Sequence, residues 1–239
     1  MEKIPTGVQG LDDVLGGGFP RSTTILVSGP SGTGKSILCM QFLYKGIQEH
    51  DENGIYVTLE ARPKDLRTEM QSLGWDIQSY EEQGKLAIMD SASVASKMYT
   101  GEKFAMPSRL DVDGLISKIH GLTKKINARR LVIDSLPALE LRVTDTGLIR
   151  TIIYRLSSLL LEIKVTSLLT TESVHPDMIS RYGVEEFVCR GVIMLDLEER
   201  GNDLKRVLRV RKMREINHTM KKINFEIGQD GITVFSRSQ

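Results

Sequence analysis

The chain has 239 residues, of which 40% are hydrophobic and 26% charged, and 32 Lys and Arg against 31 Asp and Glu leave a formal net charge of +1. This is ordinary globular composition, which excludes wholesale disorder, and the balanced charge gives no global reason to expect nucleic acid binding. Residues 1–239 are expected to form a single domain, because domains usually contain about 100–200 residues.

The first residues and the cysteines favour a cytoplasmic protein. Cys39 and Cys189 are too few for a disulfide scaffold or a four-ligand zinc site. No apolar signal core follows Met1, and no apolar run reaches the ~20 residues of a membrane span. We therefore expect free thiols in a reducing compartment and no membrane partner.

Short β-branched runs alternate with helical patterns through the first three quarters of the chain. Apolar residues recur with helical spacing over residues 35–48 and 147–164. Strands that alternate with helices are parallel and joined by right-handed crossovers, so helices are expected on both faces of the sheet. The predicted strands of this part are residues 23–28, 54–59, 86–90, 131–135 and 166–171.

The pattern changes after about Cys189, where strands follow one another with short polar turns and no helix between them. The predicted strands are residues 191–197, 206–213, 223–227 and 232–235. The sequence therefore predicts an α/β fold. In this fold, helices flank a twisted, mostly parallel sheet, and antiparallel strands extend the sheet toward the C-terminus.

A complete phosphate-binding loop motif, G-x-x-x-x-G-K-S, follows the predicted strand that ends at Ser28. Its glycines let the backbone curl so that successive N–H groups point at phosphate oxygens, and the N-terminus of the next helix faces the same anion. Lys35 supplies a positive charge for the β- and γ-phosphates, and the Ser36 hydroxyl is a ligand for Mg²⁺. The motif predicts nucleotide binding and comprises Gly29, Pro30, Ser31, Gly32, Thr33, Gly34, Lys35 and Ser36.

Acidic residues at strand ends are the candidates for the metal and the water. An acid that ends a buried strand near the loop can hold Mg²⁺ through its water shell. We favour Asp134 for this role, and Asp90 is its rival. Hydrolysis also needs a group that orients or deprotonates a water molecule. Glu60 is placed for this at the carboxyl end of a strand, and a solvated strand-end glutamate is the alternative interpretation.

These residues belong to a series of segments that spans essentially the whole chain, namely residues 5–18, 41–47, 58–60, 72–76, 134–135, 170–172 and 212–214. With these segments the chain resembles the RecA-like ATPases, and among them the single-domain relatives of KaiC. That family has a twisted sheet with helices on both faces and antiparallel strands at one end. Its members typically form ring hexamers with ATP between subunits, so the resemblance implies a Mg²⁺-dependent, homohexameric ATP hydrolase.

The resemblance also implies roles around a subunit's own nucleotide. The phosphate loop and the adjoining Ile37 would wrap the triphosphate, and Glu60 would be the general base. Ser72 would lie near the nucleotide base. Thr170 and Thr171 would end the strand that senses the γ-phosphate.

A second set of residues would serve the neighbouring subunit. Lys212 and Arg214, on either side of Met213, would reach across the subunit boundary to the γ-phosphate of the neighbour's ATP, as an arginine finger does. His218 matches a position that also approaches the neighbour's nucleotide. The resemblance therefore implies that activity depends on assembly.

Four positions depart from the family's pattern, namely Ala61, Arg190, Glu215 and Ile216, the last of which stands where the family usually has threonine. KaiC has a second glutamate where Ala61 follows Glu60, so any help from that carboxylate in placing water is missing. Glu215 follows Arg214 where the family has glycine, and a carboxylate there could pair with the finger and weaken its contact to phosphate. Arg190 stands where relatives often have an acid. We expect nucleotide binding to be intact, and the hydrolysis rate and ring contacts to be altered.

Residues 200–222 concentrate nine Lys and Arg against two acids, Asp203 and Glu215. Three interpretations stay open: a solvated antiparallel strand, a subunit interface that supplies cations to a neighbour's phosphates, or contact with nucleic acid. The segment lacks the interleaved aromatic residues that are typical of single-strand binding. Two loops with one arginine each, residues 142–147 and 174–186, could still line the channel of a ring and bind phosphates there.

Two function hypotheses result. The leading one is an oligomeric ATPase that couples its nucleotide state to assembly or partner binding. The alternative is a nucleotide-switched recombinase paralogue that binds single-stranded DNA or a recombinase partner in DNA repair, with slow turnover. KaiC, a circadian clock protein, has two tandem ATPase units. This chain contains one, so a clock role is not expected.

Overall fold

The computed structural model describes residues 2–91, 112–173, 175 and 178–236. Each predicted strand of the first three quarters is found within one residue of its expected ends. The strands in the described residues are β1 (Lys3–Ile4), β2 (Phe19–Pro20), β3 (Thr24–Ser28), β4 (Gly54–Thr58), β5 (Leu86–Asp90), β6 (Arg130–Asp134), β7 (Thr166–Thr171), β8 (Gly191–Arg200), β9 (Asp203–Met213), β10 (Ile223–Gly228) and β11 (Gly231–Val234).

Helices alternate with the strands, as the sequence pattern predicts. The two helices expected from apolar spacing are found and are joined by shorter ones. The described helices are α1 (Leu11–Val14), α2 (Lys35–His50), α3 (Pro63–Ser72), α4 (Ile77–Glu82), α5 (Val112–Ile126), α6 (Thr146–Glu162) and α7 (Glu185–Val188), with a 3₁₀ helix at Leu136–Leu141. None of these helices has both the length and the apolar character that a membrane crossing requires.

Nine strands form one sheet in the order β11-β10-β9-β8-β3-β7-β6-β4-β5. The strands from β8 to β5 are parallel, and β9, β10 and β11 continue the sheet in antiparallel pairing. The predicted α/β fold is therefore confirmed. One detail differs: β8, the first strand of the C-terminal run, pairs in parallel with β3 and belongs to the parallel part.

The hairpin of β8 and β9 is longer than predicted. Its strands run to Arg200 and from Asp203, although the last residues are polar. The backbone groups of these residues continue the pairing of the two strands, while their charged side chains stay exposed and bury no apolar face. Apolar alternation therefore marked only the inner part of this hairpin.

The core has two parts, one on each face of the sheet. On β3, Ile25 and Val27 join one apolar cluster and Leu26 joins the other. Helix α2 covers the first face, while α5 and α6 cover the second. Successive residues of a strand point to opposite faces, which explains why these strands read as nearly continuous apolar runs.

Arg130 is a fully buried cation at the start of β6. Its guanidinium pairs with Glu52 at 2.7 Å and donates to the carbonyl oxygens of Pro5 at 3.0 Å and Phe42 at 2.9 Å. A side chain on Gly46 would start 2.3 Å from the Arg130 Nε atom. Helix α2 therefore passes close to β6 only because glycine occupies that position.

Candidate nucleotide-binding site

The phosphate loop leaves the carboxyl end of β3 and opens helix α2 at Lys35. Gly32 and Gly34 have φ values of 78° and 97°, a conformation that residues with a Cβ atom rarely adopt. A Cβ atom on Gly34 would also lie 2.7 Å from Ile227 Cδ1. The glycines therefore hold the curled backbone that phosphate binding requires.

Lys35 lies over the loop that precedes it. Its ammonium donates to the carbonyl oxygens of Gly29 at 2.8 Å and Pro30 at 2.9 Å. Burial lowers the pKa of Lys35, and the carboxylates of Glu172 and Asp134 oppose that shift. The cation is thus held beside the loop at the point where the motif predicts phosphate groups.

Asp134, at the end of β6, accepts hydrogen bonds from hydroxyl groups of three different elements. Ser36 Oγ donates to it at 2.7 Å, Tyr56 Oη donates at 2.5 Å, and Thr170 Oγ1 donates to its other oxygen. Burial raises the pKa of Tyr56, so this phenol stays protonated and remains a donor. The Ser36 hydroxyl beside a carboxylate is an oxygen donor set that fits Mg²⁺.

The rival acid has a different environment. Asp90 ends the edge strand β5 and does not line the cleft at the phosphate loop. It is fully buried, near the half-buried Arg142. The sequence favoured Asp134 and kept Asp90 as its rival, because both end apolar runs, and the strand order brings Asp134 to Ser36.

Glu60 follows β4 at the same edge of the sheet. Ser135 Oγ donates to its carboxylate at 2.6 Å, and a cis peptide bond joins Ser135 to Asp134. The backbone N–H of Leu59 donates to the Asp134 carbonyl at 2.7 Å, which ties the two strand ends together. The Glu60 carboxylate therefore lies beside the candidate metal ligand.

These groups line one cleft of about 660 Å³. Three further side chains in its lining were given no individual role by the sequence: Glu69 on α3, Glu172 after β7, which lies in one of the family-like segments, and Arg206 on β9, which lies in the basic segment. Burial, with Asp134 nearby, raises the pKa of Glu69. The predicted residues in the lining are Ser31, Gly32, Gly34, Lys35, Ser36, Ile37, Glu60 and Asp134.

Four predicted nucleotide contacts lie outside this lining, namely Gly29, Pro30, Thr33 and Ser72. Thr33 is buried within the loop and donates to the Pro30 carbonyl at 2.9 Å. Ser72 is exposed at the end of α3, where its hydroxyl donates to the Glu69 carbonyl at 2.6 Å. Ser72 is therefore one helical turn from a residue that lines the cleft.

The residues expected to serve a neighbouring subunit also lie away from their own cleft. Lys212 pairs with Val192 and Met213 pairs with Gly191, beside the amino end of β3, whereas the phosphate loop follows the carboxyl end of β3. Met213 is buried in the core, and Arg214 is exposed. His218 lines a different surface cleft, with Asp12, Asp13 and Asn217.

The expectation that Glu215 pairs with the finger is wrong. Glu215 forms its ion pair with Arg190, and no side-chain partner of Arg214 is found in the described residues. The two unusual positions, an arginine for an acid and a glutamate for a glycine, therefore neutralise each other. The backbone N–H of Arg214 also donates to the Arg190 carbonyl at 3.0 Å.

Part of the basic segment is a solvated strand pair, one of the three open interpretations. Arg200 and Lys222 both pair with Glu198, and Lys205 lies near Asp203. These cations, on the hairpin and just before β10, are neutralised locally by acids of the hairpin. Arg206 lies in the phosphate cleft instead of facing open solvent.

Both loop arginines that could have met DNA are bound within the chain. Arg142 donates to Ser91 Oγ at 3.0 Å, and Arg181 pairs with Glu140 at 2.8 Å and with Glu172 at 3.4 Å. In the predicted channel loop of residues 174–186, Val174, Pro176 and Asp177 lie outside the described residues.

The strand order and the site together define a class. The phosphate-loop strand β3 and the strand of Asp134, β6, are separated by one strand, β7, and both end at the cleft. This is the arrangement of a RecA-like P-loop nucleoside triphosphatase.

The comparisons narrow this class to a family. A family model described as "ATPase: KaiC" matches residues 4–239. The chain belongs to this family, which confirms the resemblance seen in the sequence.

Relatives agree over nearly the whole chain. The chain is 40% identical over 237 residues to the circadian clock oscillator protein KaiC of Prochlorococcus marinus subsp. pastoris, covering 99% of this chain and 45% of that protein. It is 39% identical over 236 residues to KaiC of Parasynechococcus marenigrum, with 98% and 45% covered. The chain therefore spans about half the length of these curated relatives.

A solved structure matches at full length. The crystal structure of a KaiC-like protein from the hyperthermophilic archaeon Pyrococcus horikoshii OT3 has a TM-score of 0.86 and 45% sequence identity. The match covers 98% of this chain and 99% of that chain.

Proposed function

We propose that residues 1–239 act as one ATPase domain that binds Mg²⁺ and ATP and hydrolyses the bond to the γ-phosphate. One observation carries the proposal. At the phosphate loop, Ser36 donates to Asp134 while the adjacent Ser135 donates to Glu60. A candidate metal-binding pair and a candidate base therefore lie side by side in one cleft.

The loop binds the triphosphate in this proposal. Its backbone N–H groups and the N-terminus of α2 face the phosphate oxygens. Lys35 leaves the carbonyl oxygens of Gly29 and Pro30 and binds the β- and γ-phosphates, and Ile37 packs at the mouth of the loop. Ser36 and Asp134 would hold Mg²⁺, which neutralises phosphate charge when bound.

Glu60 acts as the general base in this proposal. Its carboxylate accepts a proton from the water that attacks the γ-phosphorus, and the Ser135 hydroxyl fixes the orientation of that carboxylate. Thr170 lies on β7, between β3 and β6, and donates to Asp134. Through this hydrogen bond β7 senses the γ-phosphate. Ser72 lies near the nucleotide base.

We also propose that the working form is an oligomer, a ring of six, in which Lys212 and Arg214 bind the γ-phosphate of the adjoining subunit. The register supports this, because these residues lie beside the amino end of β3 and away from their own phosphate loop. Met213 contributes its backbone and His218 lies near the neighbour's nucleotide. Nucleotide state then controls assembly or partner binding.

The single-stranded DNA alternative gains no support from the relatives or from the described residues. The two loop arginines that it needs, Arg142 and Arg181, are occupied by Ser91, Glu140 and Glu172. We therefore do not propose a role in DNA repair.

The decisive test compares two carboxylates of the same cleft. Glu60→Gln is expected to bind ATP at least as tightly as the parent chain and to lose turnover by about 10²–10⁴-fold, the usual contribution of a general base. Glu69→Gln makes the same chemical change on the cleft wall and is expected to keep the turnover number. Steady-state ATPase assays and binding of a non-hydrolysable ATP analogue measure both. Normal turnover in Glu60→Gln, or its loss in Glu69→Gln alone, would overturn the assignment of the base.

A separate measurement tests assembly. Light scattering with and without a non-hydrolysable ATP analogue is expected to show an oligomer when the analogue is bound. A species that stays monomeric at every analogue concentration would refute the proposal that sites are completed by a neighbour.

A further inference from the structure

Glu185 is a buried carboxylate that the proposed reaction does not use. It opens the short helix α7 and is completely removed from solvent. No Lys or Arg pairs with it among the described residues. It is satisfied instead by hydrogen bonds, with the backbone N–H groups of Tyr182 and Val184 donating at 3.1–3.3 Å. A charge buried in this way is costly unless every donor is in place, so its position is tightly fixed.

The side-chain donor to this carboxylate comes from the nucleotide site. Thr171 Oγ1, on the last residue of β7, donates to Glu185 Oε1 at 3.0 Å. The preceding residue, Thr170, donates to Asp134 in the cleft. Because adjacent strand residues point to opposite faces, the end of β7 contacts the candidate metal ligand on one side and Glu185 on the other.

The other end of α7 holds the finger lysine. Lys212 Nζ donates to the carbonyl oxygen of Glu186 at 2.6 Å and to that of Cys189 at 2.7 Å. The N–H of Cys189 in turn donates to the Glu185 carbonyl at 3.0 Å. Burial lowers the pKa of Lys212. Each end of this one-turn helix is therefore bonded to a different functional element.

Thr171 and Arg190, which flank helix α7 in the chain, lie at opposite ends of the parallel strands. Thr171 pairs with Ser28 at the carboxyl end of β3, whereas Arg190 donates its N–H to the carbonyl of Thr24 at the amino end. Helix α7 lies between these two contacts in the chain. It is thus a covalent and hydrogen-bonded route from the carboxyl end of β7 to Lys212.

We propose that Glu185 is a positioning residue that fixes Lys212 relative to the end of β7, so that the strand contacting a subunit's own nucleotide also sets the cation offered to the next subunit. This inference rests on the proposed function, because it assumes that Lys212 acts on a neighbour. It assigns Glu185 no contact with nucleotide. Its effect appears in the adjoining site.

An experiment that mixes two variants tests the contributions of neighbouring subunits separately. Arg214→Ala subunits keep an intact cleft but lack a finger, and Glu60→Gln subunits keep the finger but lack the base. Each is expected to be nearly inactive alone, and a mixture is expected to regain ATPase activity at the Arg214→Ala clefts. The inference is then tested by adding Glu185→Gln to the Glu60→Gln subunit.

The Glu185→Gln substitution directly disturbs the hydrogen bonds that this side chain accepts. Both oxygens of Glu185 accept hydrogen bonds, so the NH₂ group of glutamine would face a donor on one side. Glu186→Gln is the matched control, because its side chain accepts from Ser180 Oγ and its main-chain carbonyl is unchanged. Thr171→Val is a second variant, which removes the link to β7 and leaves the carboxylate in place.

The expected result is a change in kcat without a change in KM. With the Glu185→Gln finger subunit, the regained kcat should fall at least tenfold, while KM for ATP at the Arg214→Ala clefts stays within twofold. Thr171→Val should lower kcat in the same direction, and Glu186→Gln should keep it within twofold. ATP-analogue binding and thermal melting of the finger subunits show whether they are folded. If Glu185→Gln destroys folding, Thr171→Val provides the test.

The failures are distinguishable. If the parent mixture regains no activity, the cross-subunit role of the finger fails, and this inference fails with it. If the parent mixture is active and Glu185→Gln or a folded Thr171→Val performs like Glu186→Gln, the positioning role alone is overturned. A rise in KM with unchanged kcat would likewise contradict it, because positioning of a transition-state contact acts on kcat.

Discussion

Replacing Glu215 with glycine tests whether the carboxylate beside the finger restrains it. Glu215 has a φ of 72°, in the left-handed region, and its carboxylate pairs with Arg190. Arg214 is not its partner. We therefore expect Glu215→Gly to leave ATP turnover within twofold of the parent chain.

The stability change follows from two opposing contributions. A non-glycine residue in the left-handed region is strained by about 1 kcal/mol, which glycine relieves. The side chains of Arg190 and Glu215 are 34% and 39% exposed, and an ion pair at that exposure contributes about 0–1 kcal/mol. Glu215→Gly should therefore lie within about 1 kcal/mol of the parent in unfolding free energy. That corresponds to a Tm change of no more than about 2–4 °C.

Glu215→Ala is the matched variant, because it also loses the ion pair but keeps the strained backbone. It should be less stable than Glu215→Gly by about 1 kcal/mol. Urea unfolding of both variants and of Arg190→Ala, together with their ATPase rates, tests these expectations. A tenfold gain of turnover in Glu215→Gly, with no gain in Arg190→Ala, would mean that the carboxylate restrains Arg214 and that our interpretation of the pair is wrong.

Three further outcomes are expected. Glu69→Gln should tighten ATP-analogue binding about fivefold, because it removes a partly exposed negative charge whose repulsion of the phosphates amounts to about 1 kcal/mol. In the parent chain, affinity should rise as pH falls through the raised pKa of Glu69, and this rise should be smaller in Glu69→Gln. Weaker binding would contradict this. Because burial lowers the pKa of Lys35 and bound phosphate raises it again, binding at alkaline pH should take up a proton, seen as buffer-dependent heats in calorimetry; equal heats in all buffers would refute it. Arg130→Ala leaves Arg21 as the cation beside the Glu52 carboxylate but removes a fully buried partner of that carboxylate and of two carbonyl oxygens, so it should lower the unfolding free energy by about 3 kcal/mol in urea titrations. A loss below about 1 kcal/mol would contradict the contribution of the buried pair.

The sequence predicted those parts of the fold whose signal is local. Strand β6 is buried on both faces, so its apolar run is continuous and its ends are sharp. Helix α3 was not predicted, because only Pro63, Leu66 and Met70 are buried on it and its remaining surface is polar. A short helix that covers one corner of the core leaves too little periodicity to read.

The candidate site was predictable where spacing encodes it. The phosphate loop is contiguous, so its geometry is present in the sequence. The hydroxyl of Tyr56 could not be assigned, because its position on β4 predicts only burial, and its partner Asp134 lies on another strand. Strand order, which the sequence did not give at residue level, decides which side chains meet.

The pairing of Glu215 shows why neighbours in sequence mislead at turns. Glu215 adjoins Arg214, yet consecutive side chains at the end of a strand diverge. Its partner, Arg190, is 25 positions away in the printed sequence and is brought close because Gly191 pairs with Met213 across β8 and β9. Two substitutions that looked damaging one at a time are compatible as a pair.

The register of β8 and β9 also determines where Lys212 lies relative to the phosphate loop. The phosphate loop lies at the carboxyl edge of the parallel strands, and β9 returns antiparallel so that Lys212 ends beside the amino edge. Lys212 pairs with Val192, which pairs with Leu26, so two residue steps along β3 to Ser28 separate these levels by roughly 7 Å at about 3.3 Å per residue. The Lys212 ammonium is bonded to the carbonyl oxygens of Glu186 and Cys189, away from the phosphate loop of its own chain. In the proposed ring, the antiparallel return of β9 would direct Lys212 to a phosphate on another copy, and helix α7 would be the element through which one site influences the next.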